Sequence, residues 1–171
     1  MKKQEMKHTL SILVENKPGV LTRIAGLFAR RGYNIDSLAV GKTDDPDVSR
    51  MTIVVAGDEV VIEQVCKQLN KLVDVIKITD ITDQEYVSRE MIFIRVSCSD
   101  YTARAEIMQY VDIFRARVVD IGKDTMIIEV TGDEGKINAI ESALRRFGIK
   151  DYVRTGIIAM VRGAKDVRKN Q

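Results

Sequence analysis

The sequence predicts an α+β fold in which two βαββαβ units follow one another along the chain. Three observations predict it. Strand-like alternation and helix-like spacing succeed each other in that order over the first half. The same order returns in the second half. The hydrophobic positions of the second half also stand at fixed sequence offsets from those of the first.

The elements of the first half follow in turn. Thr9 to Glu15 is strongly β-prone, with Leu10, Ile12 and Val14 at alternate positions, the period of a strand face. Val20, Ile24, Leu27 and Phe28 then keep the spacing of one helix face, and Gly32 stands where a left-handed C-cap belongs. "NIDSLAVG" reads as the second strand, "KTDDPDVS" as a turn-rich connection and "RMTIVVAG" as the third strand. Ile62, Val65, Leu69 and Leu72 step by three, four and three, the buried face of a second helix. "DVIKITDI" closes the unit as a fourth strand. This is the split βαβ plan of ferredoxin-like folds.

The second half writes the plan again. "GDE" occurs at Gly57–Glu59 and at Gly132–Glu134, 75 residues apart. Ile137, Ile140, Leu144 and Phe147 stand at the same offset from the second helix face, and Met126 from Met51. Around the first helix the offset is 83, which carries Ile24, Leu27 and Phe28 onto Ile107, Tyr110 and Val111. A longer Lys42–Ser49 connection, against a tight turn at Gly122–Asp124, accounts for the difference. The expected organisation is a domain at 1–83, a second at 84–163 and a basic tail at 164–171. Halves of about 80 residues bury only about 60–65% of their unfolded surface, so they gain stability from packing on further protein.

Composition narrows the function. Among 171 residues, charged ones are 30% and hydrophobic ones 45%, an ordinary globular balance. A net charge of +2 with acids and bases interspersed gives no ground for nucleic acid as partner. No apolar run approaches a membrane span, and no apolar segment follows the first lysines as in a secretory signal, so a cytoplasmic location is expected. Cys66 and Cys98 form no CxxC, and His8 is the single histidine. Neither a disulfide framework nor a metal site is expected. Nothing pairs a nucleophile with a base, so no catalytic residues are assigned and the chain is not expected to be an enzyme by itself.

Backbone-special residues cluster at both ends of the first helix, in "ENKPGVLTRIAGLFARRGYNI". The offset of 83 places Ser99 against Asn16, Thr102 against Gly19, Arg115 against Gly32 and Arg117 against Asn34. The hydrophobic positions survive the repeat and these do not, which argues for something only the first half does. A helix opening at Gly19 presents unpaired N–H groups and the positive end of its dipole, and a carboxylate is the natural guest. Gly19 lets a ligand approach the backbone, and Pro18 shapes the turn. Asn16 and Asn34 are expected to flank one small zwitterion, with Val20, Ile35 and Leu38 as an aliphatic surround suited to a branched amino acid. Gly32 is kept as a structural C-cap. Asn34 also suits a left-handed backbone position. Lys17 either strengthens carboxylate binding or points to solvent.

These residues resemble the ACT domain, an amino-acid-binding regulatory module in which such a turn and a "GxNI" segment frame the effector pocket. More specifically, "ENKPGVLTRIAGLFARRGYNIDSLAVGKTDDPDVSRMTIVV", "KQLNKLVDVIKI" and "RTGIIAMVRG" are similar to the regulatory (small) subunits of acetolactate synthase, over about residues 6–163. The resemblance implies that the first domain is an ACT domain, with effector contacts at Asn16, Gly19 and Asn34 and with Val20 and Ile35 as neighbours. It also implies a partner, the catalytic subunit. That separate chain uses thiamine diphosphate, Mg²⁺ and FAD to convert two pyruvates to 2-acetolactate and CO₂ in branched-chain amino acid biosynthesis, a transferase reaction. The small subunit would hold no cofactor, activate that chain and confer feedback inhibition by valine or a related amino acid. Homodimers would form through ACT domains paired side by side, and "NIDSLAV", an edge strand with no proline or lysine, suits such pairing.

Two other readings compete. An RNA-binding module would need aromatics on the central strands, and "RMTIVVAG" has none in a chain only 5% aromatic. A free-standing ACT sensor acting on another enzyme is the alternative that the ligand site alone would also satisfy.

Overall fold

The computed structural model describes residues 6–163. The chain divides into two compact units, one formed by residues 6–87 with 156–163 and the other by Ser88–Thr155. The tail expected at 164–171 lies outside the described residues.

In the first unit the elements run β1 (Met6–Glu15), α1 (Val20–Arg30), β2 (Ile35–Lys42), β3 (Val48–Gly57), α2 (Glu59–Leu69) and β4 (Val75–Asp80). The sheet order is β2-β3-β1-β4, with every pairing antiparallel. Strand alternation sends Leu10, Ile12 and Val14 of β1, with Met51, Ile53 and Val55 of β3, to the face that receives the helices. Val20, Ile24, Leu27 and Phe28 of α1 and Ile62, Val65 and Leu69 of α2 close over them. Each such fully buried aliphatic side chain contributes about 1.5–3 kcal/mol.

The opposite face carries Thr9, Ser37, Thr52 and Val54, and Thr9, Thr52 and Val54 are buried as well. Residues 156–163 return to this unit. Ile157 N–H donates to Ser37 Oγ at 2.9 Å, and Arg162 N–H donates to the Glu85 carbonyl at 2.7 Å. At Gly156 a Cβ would lie 2.1 Å from the Leu38 carbonyl oxygen, so only glycine fits this approach of backbone to backbone. That contact gives the glycine of "RTGIIAMVRG" a physical reason.

The second unit repeats the plan as β5 (Tyr86–Ser97), α3 (Tyr101–Ile113), β6 (Arg117–Ile121), β7 (Thr125–Gly132), α4 (Glu134–Leu144) and β8 (Ile149–Arg154), and the short strand β9 (Ile158–Val161) follows. Its strand order β6-β7-β5-β8 matches the first. Its core is Ile92, Ile94 and Val96 under Ile107, Val111, Ile137, Ile140 and Leu144. The two ferredoxin-like units expected from the sequence are both present.

Candidate functional site

The four α-helices among the described residues differ at their N-termini. Asp58 caps α2 by accepting from Val61 N–H at 2.9 Å. Asp100 caps α3 through Ala103 N–H and Asp133 caps α4 through Lys136 N–H, each at 2.8 Å. α1 has no side-chain cap: its N-cap is Gly19, at φ 85° in the left-handed region. Val20 N–H reaches back to the Lys17 carbonyl at 3.4 Å, and no side chain caps the amides that follow it, at the positive end of the helix dipole. The repeat closes this end with a carboxylate of its own, Asp100; the first unit leaves it open to a carboxylate from elsewhere.

The other end of α1 behaves differently. Gly32 (φ 70°) follows the C-cap, with Tyr33 N–H donating to Phe28 O and Gly32 N–H to Ala29 O. Arg115, at φ 49°, takes the same place after α3, with Ala116 N–H on Val111 O and Arg115 N–H on Asp112 O. This is one Schellman motif built twice. The left-handed position belongs to the fold of both halves, so Gly32 is a structural residue, and its restriction to the first half says nothing about a ligand. Asn34 is not at positive φ.

The expected site residues lie as follows. Asn16, Lys17, Pro18, Gly19 and Asn34 are exposed. Asn16 follows the end of β1, its N–H on Asp47 O at 2.7 Å and its Nδ2 donating to Pro46 O at 2.8 Å. Asn34 Nδ2 donates to Asp36 Oδ1 at 2.9 Å. Val20 is 3% exposed and its side chain belongs to the core, so it can offer a ligand only backbone. Ile35 and Leu38 are half-buried against the same core. Lys17 Nζ is 2.7 Å from Glu15 Oε2, and this hydrogen bond raises its pKa above the ordinary lysine value. Its ammonium is occupied by its neighbour.

One expectation is corrected. Within a single chain Asn16 and Asn34 do not meet. Glu15 pairs with Val48 at one end of β3, while Ile35 pairs with Val55 near the other. Seven residues of strand separate those levels, about 24 Å. β2 runs parallel to β1, so its first residue lies beside the start of β1 and far from its end.

A residue the sequence reading missed is Arg23. The Cβ that Gly19 lacks would lie 3.8 Å from Arg23 Nη2, while Arg23 Nη1 is held by Asp74 Oδ2 at 3.2 Å. The i, i+4 spacing from Gly19 was the available signal. An anion seated at Gly19 would meet this guanidinium.

Among the described residues, no helix is long and apolar enough to cross a membrane, and no three His, Cys, Asp or Glu converge as ligands for a metal ion.

Comparison with known proteins agrees over nearly the whole length. Residues 10–77 match the model of the AHAS small subunit-like ACT domain, and residues 89–163 that of the small subunit of acetolactate synthase. A probable acetolactate synthase small subunit of Archaeoglobus fulgidus is 58% identical over 94% of this chain and 99% of the relative. The acetolactate synthase small subunit of Mycobacterium bovis is 47% identical over 94% and 95%. The crystal structure of the Thermotoga maritima small subunit matches with a TM-score of 0.85 at 42% identity, covering 94% of this chain and 99% of that one. With two small-subunit units in order and relatives at this identity along their full length, the chain belongs to the acetolactate synthase small-subunit family.

Proposed function

We propose that this chain activates a catalytic acetolactate synthase subunit, which condenses two pyruvates to 2-acetolactate and CO₂, and makes it sensitive to valine or a related branched-chain amino acid. The thiamine diphosphate, Mg²⁺ and FAD of the reaction belong to that catalytic chain, in the cytoplasm. The observation that carries the effector site is the uncapped N-terminus of α1, the one α-helix among the described residues without a side-chain cap.

The effector's carboxylate sits on the amides that open α1, beside Gly19 and Arg23. Both asparagine Nδ2 groups are engaged, with Pro46 O and with Asp36 Oδ1. Each Oδ1 is then the free end, an acceptor suited to the effector's ammonium. The distance between Asn16 and Asn34 within one chain makes the site composite. β2 is the edge of its sheet. When two β2 edges pair antiparallel about a two-fold axis, the partner's Asn34 and the partner's Ile35 come to the end of the sheet that holds Asn16, Gly19 and the Val20 backbone. Effector binding then bears on how two copies pack, and coupling of about 1–3 kcal/mol to the active arrangement of the catalytic chain gives several-fold to hundred-fold control.

Reconstitution tests the reading. Adding this chain to the catalytic subunit should raise acetolactate formation, and valine should reverse the gain. A catalytic subunit indifferent to this chain would overturn the proposal.

A further inference from the structure

A second cleft of the first unit lies away from α1, between α2 and β4. It encloses about 560 Å³ and is lined by His8, Glu59, Glu63, Asn70 and Asp80 among others. That volume is in the range of small-molecule sites. His8 is only 5% exposed. Its Nδ1 is 3.1 Å from Asp80 Oδ2, and Asp80 Oδ1 is in turn held by Thr82 N–H at 3.0 Å. A carboxylate oxygen accepts, so Nδ1 carries a proton, and in the neutral imidazole Nε2 is then an acceptor. Nε2 is buried with no hydrogen-bond partner. A buried unpaired acceptor costs about 1–3 kcal/mol. The cleft therefore combines an orphan ring nitrogen and three carboxylates with the apolar side chains of Val60, Ile62, Cys66 and Ile78, a lining suited to a short alkyl chain that carries positive charge.

The second unit shows how the same place looks when its cation is built in. Arg145 stands 75 residues after Asn70, the offset that aligns the two second helices, and lines the corresponding cleft with Glu141. Its Nη2 bonds Glu141 Oε1 at 2.5 Å. The strands repeat the contrast. Leu10 pairs with Asp80 and Ile92 with Arg154. Two residues before each, His8 bonds Asp80 and Glu90 bonds Arg154. Two guanidiniums thus answer two carboxylates in the second unit. In the first, Glu63 has the exposed Lys67 at 2.6 Å, and the pair of His8 and Asp80 reverses the order of Glu90 and Arg154, with the carboxylate on the later strand and no guanidinium in the pair.

We infer that the cleft between α2 and β4 binds a small organic cation bearing a primary ammonium group, whose N–H donates to His8 Nε2 while Glu59, Glu63 and Asp80 balance its charge. A divalent metal ion does not fit as well, because among the described residues no three of these ligand types converge on one point. The site is separate from the N-terminus of α1 and independent of valine.

The single histidine makes the test direct. In the ¹⁵N-labelled full chain, the imidazole nitrogens of His8 are observed in a long-range ¹H–¹⁵N spectrum while 1,4-diaminobutane is added. A saturable shift of the Nε2 resonance is expected, absent with 1-butanol and with sodium chloride at equal ionic strength. Glu63→Gln, at an exposed position, should weaken the apparent affinity about threefold or more. No saturable shift at millimolar amine, an equal shift with sodium chloride, or tighter binding of Zn²⁺ to the same nitrogen would each overturn the inference.

Discussion

Asp100 accepts the Ala103 N–H at 2.8 Å and closes the N-terminus of α3, where the corresponding stretch of the first unit leads into α1 through Gly19 with no side-chain acceptor. The cap contributes about 1 kcal/mol. Asp100→Ala should lower stability by that amount in chemical denaturation. Valine inhibition of the reconstituted enzyme should not change, because this helix end already carries its own anion.

Gly19→Asp places a carboxylate at the open end of α1, where the effector's carboxylate is proposed to bind. Aspartate tolerates left-handed backbone better than most side chains, so the unit should fold with a cost of about 1 kcal/mol. Activation of the catalytic chain should persist while valine inhibition disappears. Unchanged inhibition would place the effector elsewhere.

Arg23 points one nitrogen at the Gly19 position and is exposed enough to be replaced without disturbing the core. Arg23→Gln should weaken valine binding about fivefold by calorimetry, the loss of one partly solvated charge contact of about 1 kcal/mol. Thermal stability should move little.

Arg115 holds a left-handed backbone position that glycine holds in the other unit. Arg115→Gly removes the steric cost of a side chain there, offset in part by the greater entropy of the unfolded glycine. A net gain of about 0.5–1 kcal/mol is expected in denaturant titration, with no effect on valine response.

Gly156→Ala brings a methyl group against the Leu38 carbonyl, which is backbone and cannot swing aside. Overpacking of this kind costs about 1–3 kcal/mol. The Ile157 and Arg162 amides, bonded to Ser37 Oγ and Glu85 O, should lose hydrogen-exchange protection while the β1–β3 amides keep theirs.

Most of the architecture was legible because hydrophobic period alone distinguishes strand from helix, and because the chain repeats its own pattern: Met51 and Met126, or Ile62 and Ile137, fill matching core positions. The caps were legible in principle too, since the aspartates of both "GDE" segments precede their helices. What the sequence did not show was distance. Asn16 and Asn34 flank one helix in sequence, yet the parallel run of β1 and β2 sets them a sheet's length apart. Gly32 was legible as a structural C-cap, and the left-handed Arg115 at the matching place shows that both halves need that backbone position. Arg23 was silent because its meaning depends on the side of α1 that Asp74 fixes. Gly156 depended on a contact 118 residues away in sequence.

The most direct measurement is a crystal structure of this chain with bound valine. The account requires the carboxylate within hydrogen-bonding distance of the first amides of α1, next to Gly19 and Arg23, and the ammonium near Asn16 and the partner's Asn34 across paired β2 edges. Valine seated against some other part of the fold, with the amides of α1 facing only solvent, would contradict it.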